Sequence, residues 1–222
     1  MIPAKKSKAF EFFFDQFNKR FLSFQFKGIY WATETNIVTL PSTSALFIAN
    51  HSTWWDPLVI FHLNRHIIKQ ESYCMMHEKG IKEYPFFRKI GAFSVNRQNP
   101  KDIVQSINYA KEKLKDGKAL WLFPQGDEHH LETRPLAFLP GAIHIVKNSD
   151  IPIVPVGLYY TFGNERKPEI YIKIGKPLVS AELKGSLVKE KNLELESHFT
   201  FLLDSLKQEV ITKSLDQYKN IL

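Results

Sequence analysis

Short apolar runs alternate with helical patterns along most of the chain. The runs are rich in β-branched and aromatic residues and predict strands at 44–50, 72–77, 92–97, 118–124, 151–160 and 169–175. The patterns between them predict helices at 57–66, 100–116 and 140–147, and one long helix or a broken pair at about 193–218. Strands separated by helices make crossover connections, which leave the strands largely parallel and cover both faces of the sheet. The sequence therefore predicts an α/β fold with a mixed, largely parallel sheet flanked by helices.

The clearest local signals frame the helix predicted at 100–116. Asn99 is a good N-cap, Pro100 suits the first helical position and Gly117 suits the residue just past the end. These three residues predict where the helix begins and ends.

Length and composition favour one folded domain. A chain of 222 residues with 44% hydrophobic and 24% charged residues can bury one large core. It has no linker rich in Ser, Gly and Pro, and no internal repeat. We expect this domain at residues 31–222. The lone Cys74 cannot form an internal disulfide, which is typical of a reducing compartment, and it is interpreted as a buried small hydrophobe rather than a thiol nucleophile.

The N-terminal residues 1–30 predict an amphipathic helix at a membrane interface. One helical face collects six phenylalanines, opposite most of the basic residues: Phe10, Phe13, Phe14, Phe17, Phe21 and Phe24. The same pattern suits a helix that docks on the protein's own core, so both alternatives stand. A net charge of +7 favours an anionic partner such as phospholipid headgroups, phosphorylated substrates, acyl carriers or nucleic acid, and the Phe-rich face is what favours a membrane among them. Because no apolar run reaches the roughly 20 residues that span a bilayer, we expect a cytoplasmic protein lying peripherally on the inner face of the cell membrane.

A histidine and an aspartate lie five residues apart between a predicted strand and a predicted helix, in the stretch Asn-His-Ser-Thr-Trp-Trp-Asp. Asp56 precedes Pro57, so it is predicted to cap a helix that begins at Pro57. A turn between the two elements allows the carboxylate to hold one nitrogen of His51 and leave the other free to take a proton. Such a pair activates a hydroxyl that belongs to the substrate. The alternative is a capping aspartate and an unrelated histidine.

Four segments resemble, in the same order, the sequence blocks of the glycerolipid acyltransferases, the family of glycerol-3-phosphate and 1-acylglycerol-3-phosphate acyltransferases. The first is the Asn-His-x4-Asp block at 50–56, and the others are 79–97 with Lys79, Pro85, Gly91 and Arg97, then 120–126, then 151–158 with Pro155. The resemblance runs from about residue 44 to residue 175. Four blocks in order are specific, whereas one alone would be weak.

The resemblance implies transfer of a fatty acyl group from a thioester of coenzyme A or acyl carrier protein to a lipid hydroxyl. It implies no resident cofactor or metal. His51 would be the general base and Asp56 its orienting partner. The implied substrate-binding residues come from the second and third blocks, with Arg97 holding a phosphate of the acceptor: Lys79, Arg97, Phe123, Pro124, Gln125 and Gly126.

The third block departs from the family pattern of Glu, Gly, Thr, Arg and Ser. This chain has Gln125, Gly126, Asp127, Glu128 and His129 there, so an acid stands where the family has an arginine. Like-charge repulsion disfavours a phosphate monoester beside such acids. We therefore expect a lysophospholipid with a headgroup or a glycolipid to be a better acceptor than glycerol-3-phosphate or 1-acylglycerol-3-phosphate. Arg134, further along the loop, is expected to compensate if a monoester is bound.

Other functions and a metal site are less well supported by the sequence. A lipid or thioester hydrolase needs a nucleophile, and the chain has no Gly-x-Ser-x-Gly elbow. A peripheral membrane or nucleic-acid binding module would use the basic, Phe-rich surface without needing His51 and Asp56, and no nucleic acid is expected as a partner. The ligand-rich segments 127–132 and 62–66 lack the spacing of known zinc motifs, so their histidines are interpreted as solvated loop and helix-surface residues and no metal is expected.

Overall fold

The computed structural model describes residues 1–34, 41 and 43–222. In these described residues the strands form one eight-stranded sheet. The strands are β1 Gly28–Thr33, β2 Leu46–Ala49, β3 Ser72–His77, β4 Ala92–Val95, β5 Ala119–Leu122, β6 Ile153–Phe162, β7 Pro168–Ile174 and β8 Lys219–Asn220. Their order across the sheet is β4-β3-β5-β2-β6-β7-β1-β8.

Most neighbouring strands run parallel. The run β4, β3, β5, β2 and β6 is parallel throughout. The strand β7 pairs with β6 in the opposite direction, β1 is parallel to β7, and β8 is antiparallel to β1. The predicted α/β fold with a mixed, largely parallel sheet is confirmed. The carboxyl ends of five strands meet at one edge, which is where sites form in such sheets.

Helices cover both faces of the sheet. They are α1 Lys8–Gln25, α2 Asp56–Leu63 with a π-helical turn Asn64–Ile68, α3 Glu78–Glu83 with a 3-10 turn Pro85–Ile90, α4 Pro100–Lys115, α5 Gly141–Val146 and α6 Val188–Thr212. The helices α1 and α2 pack in one buried cluster with Phe47 and Trp121 of the sheet. The helices α4, α5 and α6 pack in the other, with Leu46 and Leu120. Alternate residues of β2 and β5 thus enter opposite cores, as expected for buried strands.

The helix predicted at 100–116 has the expected boundaries. The side chain of Asn99 accepts hydrogen bonds from the backbone N–H groups of Lys101 and Asp102, at 3.1 and 3.4 Å. Gly117 follows the helix in the left-handed region, with φ 78°.

Three predicted boundaries differ from the structure. The boundary predicted at residue 30 between the N-terminal helix and the domain falls inside β1. No strand is predicted there from the sequence, because β1 pairs with β7, whose residues are far away in the chain. The helix predicted at 57–66 changes to π-helical geometry after Leu63. The last helix starts at Val188 rather than near residue 193, because Glu190 accepts the N–H groups of two preceding residues, and it ends when Lys213 turns left-handed.

Both sides of α1 are apolar, and only one of them docks on the core. Phe14 and Leu22 are buried, and the amide nitrogen of Asn18 donates to the carbonyl of Leu58 in α2 at 3.0 Å. Another face leaves four large side chains exposed: Phe12, Phe13, Phe17 and Phe24. Among the described residues, no helix is long and apolar enough to cross a membrane. The helix therefore has one core-facing side and one solvent-facing aromatic side.

Two glycines with positive φ provide a matched test of backbone packing. Gly91, between the 3-10 turn and β4, has φ 106°, and a Cβ there would lie 2.6 Å from the Ser72 carbonyl oxygen of β3. Gly117 has φ 78° with nothing within 4 Å. We expect Gly117→Ala to cost about 1–2 kcal/mol of unfolding free energy from backbone strain alone. Gly91→Ala should cost about 3 kcal/mol or more, because β3 must also move. Urea unfolding measures both, and equal losses would contradict the clash.

Candidate active site

Six of the nine predicted site residues line one cavity at the carboxyl edge of the sheet. His51 follows β2, Lys79 follows β3, Arg97 follows β4 and Phe123 follows β5, and all four line a cavity of about 780 Å³. Four parallel strand ends therefore bring together residues that are up to 72 positions apart in the chain.

Asn50 fixes the end of β2 just before His51. Its side-chain nitrogen donates to the carbonyl of Leu158 in β6 at 3.0 Å, and its side-chain oxygen accepts the N–H of Leu158 at 2.8 Å. The Asn50 side chain thus takes the place of one more backbone pair between β2 and β6, and the N–H and carbonyl of Leu158 stay hydrogen-bonded where β2 ends. The residue after Asn50 is then free to turn toward the cavity.

A buried carboxylate holds the imidazole. Nδ1 of His51 lies 2.9 Å from Oδ2 of Asp56, which is 0% exposed. The same oxygen accepts the backbone N–H groups of Ser52 and Thr53, at 2.6 and 2.9 Å, and Oδ1 accepts the hydroxyl of Tyr160 at 2.6 Å. A buried carboxylate needs such donors because it has lost its water.

This geometry corrects the predicted capping role of Asp56, while its carboxylate lies against His51 as the orienting role requires. The helix α2 begins at Asp56 itself, and its preceding residue, Trp55, makes no side-chain capping bond. The carboxylate faces back toward Ser52 and Thr53 rather than forward to the helical N–H groups. The carboxylate instead accepts hydrogen bonds from the connecting loop, the imidazole and Tyr160 at once.

The protonation pattern follows from these partners. Burial, together with the charge of Asp56, raises the pKa of Tyr160 well above 10, so its phenol remains a donor. Since a carboxylate accepts only, Nδ1 of His51 carries the hydrogen in their bond, and Nε2 offers a lone pair. The nearest carboxylate to Nε2 is Glu128, at 3.9 Å. His51 is thus arranged to take a proton at Nε2.

The loop after β5 holds His51 from several sides. The ring of Phe123 stacks on the imidazole with 4.3 Å between centroids. The backbone N–H of His51 donates to the side chain of Gln125 at 2.7 Å, and its carbonyl accepts the N–H of His129 at 2.9 Å. Pro124 lines the cavity and accepts the N–H of Leu139 through its carbonyl, at 2.8 Å. This loop therefore positions the base as well as shaping the cavity.

Arg97, the predicted phosphate ligand, is already paired. Its Nη2 donates to Oδ1 of Asp127 at 2.6 Å, and this hydrogen bond lowers the pKa of the Asp127 carboxyl. Gly126 has φ 81°, and a Cβ there would lie 2.6 Å from Nη1 of Arg97, so the backbone approaches the guanidinium closely. Lys79 lines the same cavity. Asp127, which stands at the threonine position of the family block and directly before the acid that replaces its arginine, thus occupies the cation expected to bind the acceptor.

Arg134 lies elsewhere, which corrects its predicted role. Its guanidinium donates to Asp204 of α6 through Nη2 at 2.5 Å and Nε at 3.2 Å, and to the carbonyls of Leu131 and Thr133. It is not among the residues that line the cavity. The sequence placed Arg134 in the right loop, but an ion pair with a helix about 70 residues later directs it away.

The cavity interior is apolar. Among its lining side chains are Ile60, Phe61, Cys74, Met76, Phe87 and Trp121. Burial raises the pKa of Cys74 to about 12, so the thiol is protonated near pH 7 and is a poor nucleophile. An apolar space that begins at His51 is suited to a hydrocarbon chain.

Tyr160 and Asn50 were not assigned roles from the sequence. Tyr160 lies 104 residues after Asp56 and reaches it only because β6 pairs with β2. Asn50 stood in the Asn-His-x4-Asp block, and its adjacency to His51 was the available signal. Neither role is visible without the strand order.

Comparisons with known proteins point to one family. The profile of the Acyltransferase family matches residues 32–159. The 1-acyl-sn-glycerol-3-phosphate acyltransferase of Bacillus subtilis is 30% identical over 168 residues, 70% of this chain and 78% of that protein. The enzyme of the same name from Saccharomyces cerevisiae is 28% identical over 176 residues, 73% of this chain and 55% of the yeast protein.

Structural similarity extends over most of the chain. The crystal structure of the 1-acyl-sn-glycerophosphate (LPA) acyltransferase PlsC from Thermotoga maritima aligns with a TM-score of 0.61 and 17% identity, covering 89% of this chain and 78% of that one. This likeness shows a shared fold. The chain spans about half the length of the first curated relatives that it matches. Together with the profile match over more than half of its length, these similarities confirm the resemblance, and the chain belongs to the acyltransferase family.

Proposed function

We propose that the protein transfers a fatty acyl group from an acyl thioester to the hydroxyl of a monoacyl glycerolipid. The observation that carries this proposal is the His51–Asp56 pair, 2.9 Å apart, at the mouth of a large apolar cavity. The relatives named above are acyltransferases acting on 1-acyl-sn-glycerol-3-phosphate, which makes that lipid the reference acceptor. The donor is a thioester of coenzyme A or acyl carrier protein, since both present the same reacting group.

The mechanism needs one base and two positioned substrates. Nε2 of His51 takes the proton of the acceptor hydroxyl as its oxygen attacks the thioester carbonyl carbon. The C–S bond then breaks, and the thiolate leaves with the proton that His51 returns. Asp56 stabilises the imidazolium between these steps and keeps Nε2 directed at the substrate. General base catalysis of this kind contributes about 10²–10⁴-fold, and positioning of the two substrates adds to it.

The apolar cavity accounts for the acyl chain. Each methylene group that leaves water gains about 0.8 kcal/mol, so a long chain is bound mainly by the hydrophobic effect. A volume of about 780 Å³ lies within the range of ligand pockets that enclose molecules of this size. Phe61 of α2 and the buried Trp121 of β5 line this space together with His51.

Replacing the base tests the proposal directly. We expect His51→Ala to lower thioester-dependent transfer by about 10²–10⁴-fold with the fold intact. Asp56→Asn should lose about 10²-fold or more, and Tyr160→Phe about tenfold, because each removes part of the support of the imidazole. The assay follows a radiolabelled acyl thioester with and without a lysolipid, alongside circular dichroism.

The fate of the label separates the rival functions. His198→Ala, on α6 beside Glu194, is a matched control that should transfer normally. Label that appears in lipid supports transfer, whereas label released as free acid at the same rate without acceptor identifies a hydrolase. Undiminished transfer by His51→Ala would refute the mechanism, and no turnover by any variant would leave a binding module.

The charges near the base disfavour a dianionic acceptor. A phosphate monoester that binds Arg97 must displace Asp127 from a 2.6 Å ion pair. It must also approach Glu128, whose carboxylate lies 3.9 Å from Nε2 of His51. A headgroup that carries a cation or sugar hydroxyls reduces this repulsion. The loop therefore favours a lysophospholipid with a headgroup, or a glycolipid, over 1-acylglycerol-3-phosphate.

A panel of acceptors tests this preference. At a fixed donor, we expect 1-acylglycerol-3-phosphate to have a lower kcat/KM than a lysophospholipid with a headgroup. Asp127→Asn should raise kcat/KM for the monoester by about tenfold, since it frees Arg97 at a partly screened site. Asp116→Asn, at the end of α4, is the control that should change nothing. If 1-acylglycerol-3-phosphate is the best acceptor of the native chain and Asp127→Asn leaves it unchanged, the proposed preference is wrong.

An aromatic surface runs from α1 to the turn between His51 and Asp56. It supports peripheral attachment of the protein to the cytoplasmic face of the cell membrane. Phe17 packs on Phe21 with ring centroids 5.5 Å apart, and Phe21 packs on Trp55 at 5.2 Å. Trp55 meets the half-exposed Trp54 at 5.3 Å, within the turn between His51 and Asp56. A bilayer that contacts this surface would present its lipids beside the base. Aromatic and basic residues together are typical of such interfaces.

Vesicle binding tests the membrane surface. We expect the native protein to sediment with anionic vesicles, less so at high salt, because basic residues contribute about 1 kcal/mol each near such a surface. Replacing Phe13, Phe17 and Phe24 together with serine should weaken binding by tenfold or more, while Phe14 and Leu22 keep α1 docked. Phe201→Ser, an exposed phenylalanine on α6, is the control. Equal sedimentation of the triple variant and the native protein would exclude α1 as the anchor.

A further inference from the structure

A second group of polar side chains lies apart from the cavity, between α1 and α2. It contains Asp15 of α1, His62 of α2 and His66 of the π-helical turn. The potential ligand atoms of these three side chains lie within 4.8 Å of one another. The sequence analysis interpreted the two histidines as helix-surface residues. His62 is instead 0% exposed, which corrects that interpretation.

The imidazole of His62 has one occupied and one free nitrogen. Nε2 lies 2.8 Å from the carbonyl oxygen of Ile221. A carbonyl accepts only, so Nε2 carries the hydrogen and Nδ1 keeps its lone pair. Nδ1 is buried and has no hydrogen-bond partner within the described residues. A neutral imidazole whose far N–H is held by a carbonyl is the form that binds metal ions.

The other two side chains already have nearly the required spacing. Nε2 of His66 lies 3.1 Å from Oδ1 of Asp15. Two ligands at zinc bond lengths in a tetrahedral site are about 3.3 Å apart. The Asp15 side chain is 8% exposed and its second oxygen lies 3.9 Å from Nε of Arg65. His66 is about one third exposed, which provides a path from solvent.

We propose that Asp15, His62 and His66 bind a divalent transition-metal ion of the Zn²⁺ class, with water as the fourth ligand. Two imidazoles and a carboxylate are a usual ligand set for this ion. The ion would satisfy the unpartnered nitrogen of His62 and cross-link α1 to α2. Its role would be structural, because the cluster does not line the cavity that contains His51. The helix with the exposed phenylalanines would thereby be fixed to the helix that begins with Asp56.

Calorimetric titration of ZnCl₂ tests the site. The full-length chain, without an affinity tag and treated with a chelator, should bind one ion per molecule. His66→Ala and Asp15→Asn should each raise the Kd by about tenfold or more. His198→Ala removes another histidine beside a carboxylate, at Glu194, and should leave the Kd unchanged. His66 is partly exposed, and Asp15→Asn keeps the shape of the buried Asp15 side chain, so circular dichroism should find both variants folded.

Stability gives a second, independent measurement. With Zn²⁺ at a hundredfold excess over Kd, the melting temperature of the native chain should rise by about 5–10 °C. Hydrogen exchange should slow in residues 8–25, and neither effect should occur in His66→Ala or Asp15→Asn. Binding that both variants retain with unchanged Kd would overturn the proposal. Absence of both heat and a melting shift in the native chain would also overturn it.

Discussion

The candidate active site depends on one buried charge. The carboxylate of Asp56 is removed from water and compensated by the imidazole of His51, the phenol of Tyr160 and two backbone N–H groups. These donors come from three parts of the chain: the end of β2, the connecting loop and β6. A buried carboxylate that loses one partner becomes costly, so each partner is held in place by the others. The orientation of the His51 imidazole therefore follows from the need of the buried Asp56 carboxylate for hydrogen-bond donors.

Local signals in the sequence were sufficient for much of the architecture. Short apolar runs predicted β2 through β7. Runs of this length that are rich in β-branched and aromatic residues are typical of buried strands. Asn99, Pro100 and Gly117 fixed the limits of α4 within two residues. The contact of His51 with Asp56 was also predictable, since the two residues are separated only by a turn.

Features that depend on distant pairing were not predictable in this way. β1 was missed because it is stabilised by β7, about 140 residues later. Arg134 was assigned to the site from its loop, but Asp204 of α6 holds it elsewhere. The burial of His62 depends on the packing of α1 and on the carbonyl of Ile221 near the C-terminus. In each case the deciding partner is determined by the tertiary arrangement and not by the neighbouring residues.

In the proposed reaction, selection of the acceptor is coupled to the alignment of His51. The loop from Gln125 to His129 holds the backbone of His51 on both sides, and the same loop carries Asp127, which holds Arg97. An acceptor that pulls Asp127 out of its ion pair therefore strains the segment that aims the imidazole. In the proposed reaction, acceptors would then be discriminated by the rate of turnover as well as by binding. A poor acceptor can occupy the site fully and still react slowly, because its own docking misaligns the proton transfer.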